Sequence, residues 1–151
     1  MNINELLIKQ QVFTNIALTN GSKELSKSLK VKIMRIRIAY AKIKKAFEED
    51  VYEFTQNLMS EDFISLRDNQ HRSDIEEQRF QELYKKLNSE YQEFLKQKGL
   101  EPVDVVDDIL TEEEYEEIID VHSGNVVEIN GIQVTPEDFL EGIYNLFVKS
   151  K

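Results

Sequence analysis

Residues 27–50 read KSLKVKIMRIRIAYAKIKKAFEED, and how this stretch folds decides the architecture of the 151-residue chain. From Leu29 the apolar positions run Leu29, Ile33, Ile36, Tyr40, Ile43, Phe47 and, after a missed step at Asp50, Phe54. Steps of four and three are the seam of an amphipathic helix. A second stripe, Val31, Met34, Ile38 and Ala41, lies beside the first, so one packing partner cannot cover both. The competing pattern is a strand, because Lys30 to Ile33 and Arg35 to Ile38 alternate in polarity with a slip at Met34. A seam of more than twenty residues free of Gly and Pro favours the helix, since strands rarely exceed about ten residues.

Outward from this helix, Asn57 to Ser60 and Asp68 to Gln70 mark a turn region over residues 58–72 with room for a helical turn. Ser73 and Glu76 form a capping box that starts a second helix. Its seam is Phe80, Tyr84, Leu87, Tyr91 and Phe94, and Gly99 followed by Leu100 and Pro102 suits a left-handed C-terminal cap. Two long helices joined by a modest loop are expected to pack antiparallel. Upstream, Ile3, Leu6, Leu7, Val12, Phe13, Ile16 and Leu18 suit a short helix that breaks near Gln10 and Gln11, and Ser22 is a candidate N-cap for the long helix.

Downstream, Thr111 and Glu114 make another capping box. Val126 to Ile129 and Ile132 to Val134 flank Asn130-Gly131, a strong hairpin signal because that turn needs positive φ twice. Thr135-Pro136-Glu137-Asp138 opens a last helix, with Phe139, Leu140, Ile143, Tyr144, Leu146, Phe147 and Val148 as its apolar residues. The expected fold is mainly α: a long antiparallel helical hairpin with a small acidic C-terminal α+β module of helix, β-hairpin and helix. The expected division is 1–100 for the N-terminal segment and hairpin, and 101–151 for the module.

Composition agrees with a folded chain, with 40% apolar, 9% aromatic and 32% charged residues. The absence of cysteine removes disulfides and thiolate chemistry. The opening Met1 to Glu5 lacks a signal-peptide pattern, and no apolar run approaches the roughly 20 residues that cross a bilayer, so a cytoplasmic location without membrane contact is expected.

The net charge of −10 conceals a segregation. Residues 1–45 carry ten Lys or Arg against Glu5 and Glu24, a net +8, which leaves −18 for the remainder. Residues 101–148 hold fourteen acids and no Lys or Arg. The chain is a charge dipole along its length.

Chemistry is sparsely signalled. His71 and His122 fall in expected loops without a partner at helical metal-site spacing, and both are expected at the surface. The acids Glu112, Glu113, Glu114, Glu116 and Glu117 lack the offsets of a calcium loop, for which Asp104 to Tyr115 also lacks a central Gly. No serine has a nucleophile elbow, and Gly21-Ser22-Lys23 lacks the rest of a phosphate loop. No enzyme activity, catalytic residue, metal or cofactor is expected.

The binding candidates are the basic helix, through Lys30, Val31, Met34, Arg37, Ile38 and Lys44, and the acidic module, through Glu112, Glu113, Glu116 and Glu117. Lys30, Arg37 and Lys44 recur at heptad spacing and can meet an acidic protein surface or phosphates. The alternative is internal, with Lys and Arg stems covering apolar surface while their heads face the chain's own acidic C-terminal module. A protein partner, including a second copy, is favoured over nucleic acid, because a net −10 body repels a phosphate backbone.

The order of the basic helix, the second helix RFQELYKKLNSEYQEFL and the tail EYEEIIDVHSGNVVEINGIQVTPEDFLEGI resembles that of small helical-hairpin proteins encoded by tailed bacteriophages. It spans about residues 25–145 and rests on architecture, not on a diagnostic motif. The resemblance implies a virion or phage-accessory role, as a structural or assembly protein, and assigns no functional residues. The alternative function is a small acidic inhibitor that occupies a basic, nucleic-acid-binding surface of a partner.

Overall fold

Residues 27–58, the decisive stretch and its continuation, form one uninterrupted helix in the computed structural model, which describes residues 1–105, 110–123 and 126–147. The strand alternative is excluded. In chain order the elements are α1 (Ile3–Leu18), a 3-10 turn (Ser22–Glu24), α2 (Lys27–Leu58), α3 (Glu61–Asp68), α4 (Asp74–Gly99), α5 (Glu112–His122), β1 (Val127–Ile129), β2 (Ile132–Val134) and α6 (Pro136–Phe147). The mainly helical class with a helix, hairpin and helix at its C-terminal end is borne out. Val148 and the side chains of Leu146 and Phe147, expected in the last apolar face, lie outside the described residues.

The chain divides into two compact units, Met1–Ile43 with Pro102–Lys151, and Lys44–Glu101. The boundaries of this grouping fall inside α2, after Ile43, and after Glu101. Leu29, Ile33, Ile36 and Tyr40 are buried with Leu6, Phe13 and Ile16 of α1 and with Leu110, Ile118 and Ile143 of the C-terminal residues. Each fully buried aliphatic of this kind contributes about 1.5–3 kcal/mol through removal from water. The Phe13 and Tyr40 rings meet edge to face at 6.2 Å. A helix of nine apolar residues in sixteen buries too little alone, so α1 needs both the α2 seam and α6 as cover.

One backbone link and one side-chain link tie distant parts of the first unit together. The Val103 amide donates to the Met1 carbonyl at 3.2 Å, next to a bridge between Asn2 and Pro102. The Asn20 side chain donates to Val126 O at 2.7 Å and accepts from the Glu128 amide, fixing the hairpin against the end of α1. In the hairpin, Val127 pairs with Val134 and Ile129 with Ile132, and Asn130 and Gly131 have φ of 52° and 78°, as the two-residue turn requires.

The second unit is antiparallel. Asp50 pairs with Lys98 at 3.0 Å and Phe54 stacks on Phe94 at 3.9 Å, so rising numbers in α2 meet falling numbers in α4. Beyond Leu58 the role of α2 passes to α3, whose Phe63 stacks on Phe80 and whose Asp62 accepts from Arg79. Residues 58–72, expected as a turn region, therefore contain a packed eight-residue helix, capped by Ser60. Lys98 also meets Glu101 at 3.1 Å, and the hydrogen bonds from its ammonium to Asp50 and then Glu101 raise its pKa.

Local expectations divide. Both capping boxes, Ser73 with Glu76 and Thr111 with Glu114, are present. The break expected near Gln10 is absent; α1 runs through, and Gln11 donates to Asn15 one turn on. Ser22 does not cap α2: it starts the 3-10 turn, and Ser26 accepts from the Leu29 amide instead. Gly99 stays helical rather than left-handed, with Leu100 after it also in the right-handed region, because the last α4 carbonyls are taken by the following amides in a plain turn.

Candidate functional site

The first half of α2 is the best candidate, and its two flanks are treated differently by the rest of its unit. A straight helix turns about 100° per residue, so Lys32 points roughly 200° away from Lys30 and stands on the opposite flank. On that flank α5 lies close. Lys32 Nζ is 2.6 Å from Glu114 Oε1, and Glu117 accepts from both the backbone amide and the hydroxyl of Ser26 at 3.1 and 3.2 Å. Burial alone would raise the Glu114 carboxyl, but hydrogen bonds from Lys32 and from the Thr111 amide outweigh it and leave its pKa lowered. One Glu thus ends the capping box and neutralises Lys32.

The free flank is a different surface. Val31, Met34 and Ile38 are 39%, 52% and 53% exposed. By helical rotation they form one stripe, bordered by Lys30 and Arg37 on one edge and by Arg35 and Lys42 on the other. No acid occurs between Leu25 and Phe47. Among the described residues none of Lys27, Lys30, Arg35, Arg37 and Lys42 forms an ion pair. Lys30 donates to the Lys23 carbonyl at 2.5 Å. Beside the stripe a cleft of about 220 Å³ has Ala17, Leu25, Ile33 and Met34 as apolar lining and Lys23, Lys30 and Arg37 as its charged lining.

The expected site residues are thus sorted by the fold. Lys30, Val31, Met34, Arg37 and Ile38 share the free flank. Lys44 falls in the second unit, where it pairs weakly with Glu48 at 3.9 Å. Of the acids, Glu113 and Glu116 are exposed, Glu112 is half-buried, and Glu117 is spent on Ser26. Among the described residues, Lys32 realises the pairing of the basic helix with the C-terminal acids, through Glu114, whereas Lys44 meets Glu48 of its own helix.

Next to these acids lies an aromatic pair. Tyr115 of α5 and Tyr144 of α6 are 5.2 Å apart, and the Tyr115 hydroxyl donates to Leu140 O at 2.8 Å. Burial, then the nearby Tyr144 and Glu141, raise the Tyr115 pKa. Tyr144 remains 38% exposed and Glu141 is exposed. An acid and aromatic surface on α5 and α6 therefore stands in the same unit as the basic and apolar flank of α2. Tyr144 was expected simply among the apolar residues of the last helix; its i, i+3 spacing from Glu141 was the available signal.

His122, expected at the surface, is 1% exposed. Its Nδ1 donates to the Ile118 carbonyl at 2.8 Å, and its Nε2 is 3.0 Å from Thr19 Oγ1. The ring is an anchor inside the core, 5.2 Å from Phe139, not a solvent-facing group. His71 is exposed, as expected. Among the described residues no three His, Asp or Glu side chains gather as metal ligands, and no helix is long and apolar enough to cross a membrane. Part of the Asp104 to Tyr115 stretch weighed for calcium lies outside the described residues. No protein-family profile matches the chain, and neither a curated protein nor a solved structure matches it significantly.

Proposed function

We propose that this chain is a non-enzymatic structural or assembly protein that acts through protein–protein contacts, with the free flank of α2 as its docking surface. The observation that carries this reading is the exposed stripe Val31, Met34 and Ile38, set between cations that form no ion pair among the described residues. Exposed aliphatics scattered singly need no explanation, but a row edged by charge has the composition of a protein interface with a polar rim. The charges favour an acidic partner surface. The resemblance to phage proteins makes a virion the setting of this proposal.

A photo-crosslinking residue placed at Met34 or Ile38 of the full chain, in the producing cell, tests it. Discrete protein adducts from both positions are expected, and none from Ile75, an exposed aliphatic of the second unit. Adducts confined to nucleic acid, or none at all, overturn it.

The second reading is an acidic inhibitor that covers a basic surface of another protein. Glu113 and Glu116 on α5, exposed and without an ion pair among the described residues, favour it. Reversing those two charges would then remove inhibition while changes at Met34 and Ile38 leave it intact.

A further inference from the structure

We propose that the occupant of the α2 flank is a second copy of this chain, presenting the acid and aromatic surface of its α5 and α6; the inference rests on the docking role of that flank. The chain holds both halves of a complementary pair, and among the described residues Lys30 and Arg37 form no ion pair with Glu116 or Glu141. Contacts from Glu114 to Lys32 and from Glu117 to Ser26 fix α5 on the far flank of α2. Lys30, Met34, Arg37 and Ile38 therefore lie on the flank opposite those α5 contacts. A neighbour can bring Glu116 and Glu141 to Lys30 and Arg37, where opposite charge on an otherwise acid-free flank favours the encounter.

The apolar parts match as well. Tyr144 stands exposed one turn after Glu141, and the cleft beside Met34 combines an apolar lining of Ala17, Leu25 and Ile33 with cations. Seating an aromatic ring there removes it and Met34 from water, and places a ring face near the Arg37 guanidinium. Because the two surfaces differ, the contact is head to tail. Each copy keeps one free surface of each kind, so the contact propagates into a ring or a filament rather than ending at a symmetric pair.

Light scattering and sedimentation of the full chain across concentration, at about 20 mM and about 500 mM salt, test this with charge swaps. Wild type is expected to self-associate at low salt and to dissociate at high salt. K30E/R37E and E116K/E141K are each expected to weaken association roughly tenfold or more, and the four-fold variant carrying both swaps to regain it. Y144A is expected to weaken association at either salt. Helical circular dichroism establishes that each variant is folded. A wild type that stays monomeric at every concentration at low salt overturns the proposal, as does association undiminished in folded K30E/R37E. If the self-association fails while Met34 and Ile38 still crosslink to a different protein, only the identity of the occupant falls; loss of both removes the docking role too.

Discussion

His122 Nε2 lies 3.0 Å from the hydroxyl of Thr19, a residue 103 positions earlier in the chain. Thr19 in turn donates to the Ile16 carbonyl at 2.8 Å, and His122 Nδ1 donates to the Ile118 carbonyl. One buried imidazole thereby joins the C-terminal ends of α1 and α5.

Replacing that ring removes two hydrogen bonds and opens a cavity beside Phe139. His122→Ala is expected to lower stability by about 2–4 kcal/mol in urea titration. The same junction leaves no room at Gly21, where an added Cβ would stand 2.8 Å from Val121 Cγ1 and 3.0 Å from His122 Nε2. Gly21→Ala should cost about 1–3 kcal/mol through overpacking. Wild-type stability in both would show that the junction is not formed.

The Glu114 carboxyl sets an acid limit on the first unit. Its pKa is lowered in the folded chain, so its contribution is fully present above the ordinary value of 4.5 and is lost as pH falls through the lowered value. Glu114→Gln should reduce stability at neutral pH by about 1–2 kcal/mol and flatten the fall of stability in acid. A variant with the acid limb of wild type would refute the Lys32 pairing.

Gly131 isolates a backbone effect. Its φ is +78° and nothing lies within 4 Å of an added Cβ, so Gly131→Ala meets no clash. The expected loss of about 1–2 kcal/mol comes from the left-handed conformation alone. Amide exchange should rise at β1 and β2 first; an unchanged hairpin would mean the turn has another geometry.

In the second unit, Phe54 and Phe94 stack with planes 4° apart, while Asp62 and Arg79 pair in the open, with side chains 50% and 61% exposed. Phe94→Ala should destabilise by about 2 kcal/mol and speed exchange along α4. Arg79→Ala should leave the unfolding midpoint unchanged, since exposed pairs gain little over hydration. The reverse order of effects would contradict stacking as the main support of this unit.

Much of the fold was legible because it is written in local chemistry. The heptad steps from Leu29 to Tyr40, the boxes at Ser73 and Thr111 and the Asn130-Gly131 turn all act within a few residues, where periodicity and backbone sterics decide. Misjudged features were those with two local solutions. Gly99 tolerates either hand of helix end, and Ser22 and Ser26 both offer a hydroxyl near the start of α2. Gln10 and Gln11 interrupt an apolar pattern without interrupting a helix.

For the candidate site, the residue types on α2 were evident from sequence, but their sorting was not. Two apolar stripes can be counted along residues 29–41; which one is covered depends on where α1 and the C-terminal residues, the latter more than sixty positions away, come to rest. Only tertiary packing placed Leu29, Ile33, Ile36 and Tyr40 inside and left Val31, Met34 and Ile38 in water. It likewise assigned Lys32 to Glu114, left the other cations of that stretch without an acid among the described residues, and drew His122 from an expected surface position into the core. Sequence fixes what each segment can bury and which charges it carries, because those follow from covalent chemistry and helical period. The choice among equivalent faces is a long-range competition for contact, and it is resolved only when the distant segments meet.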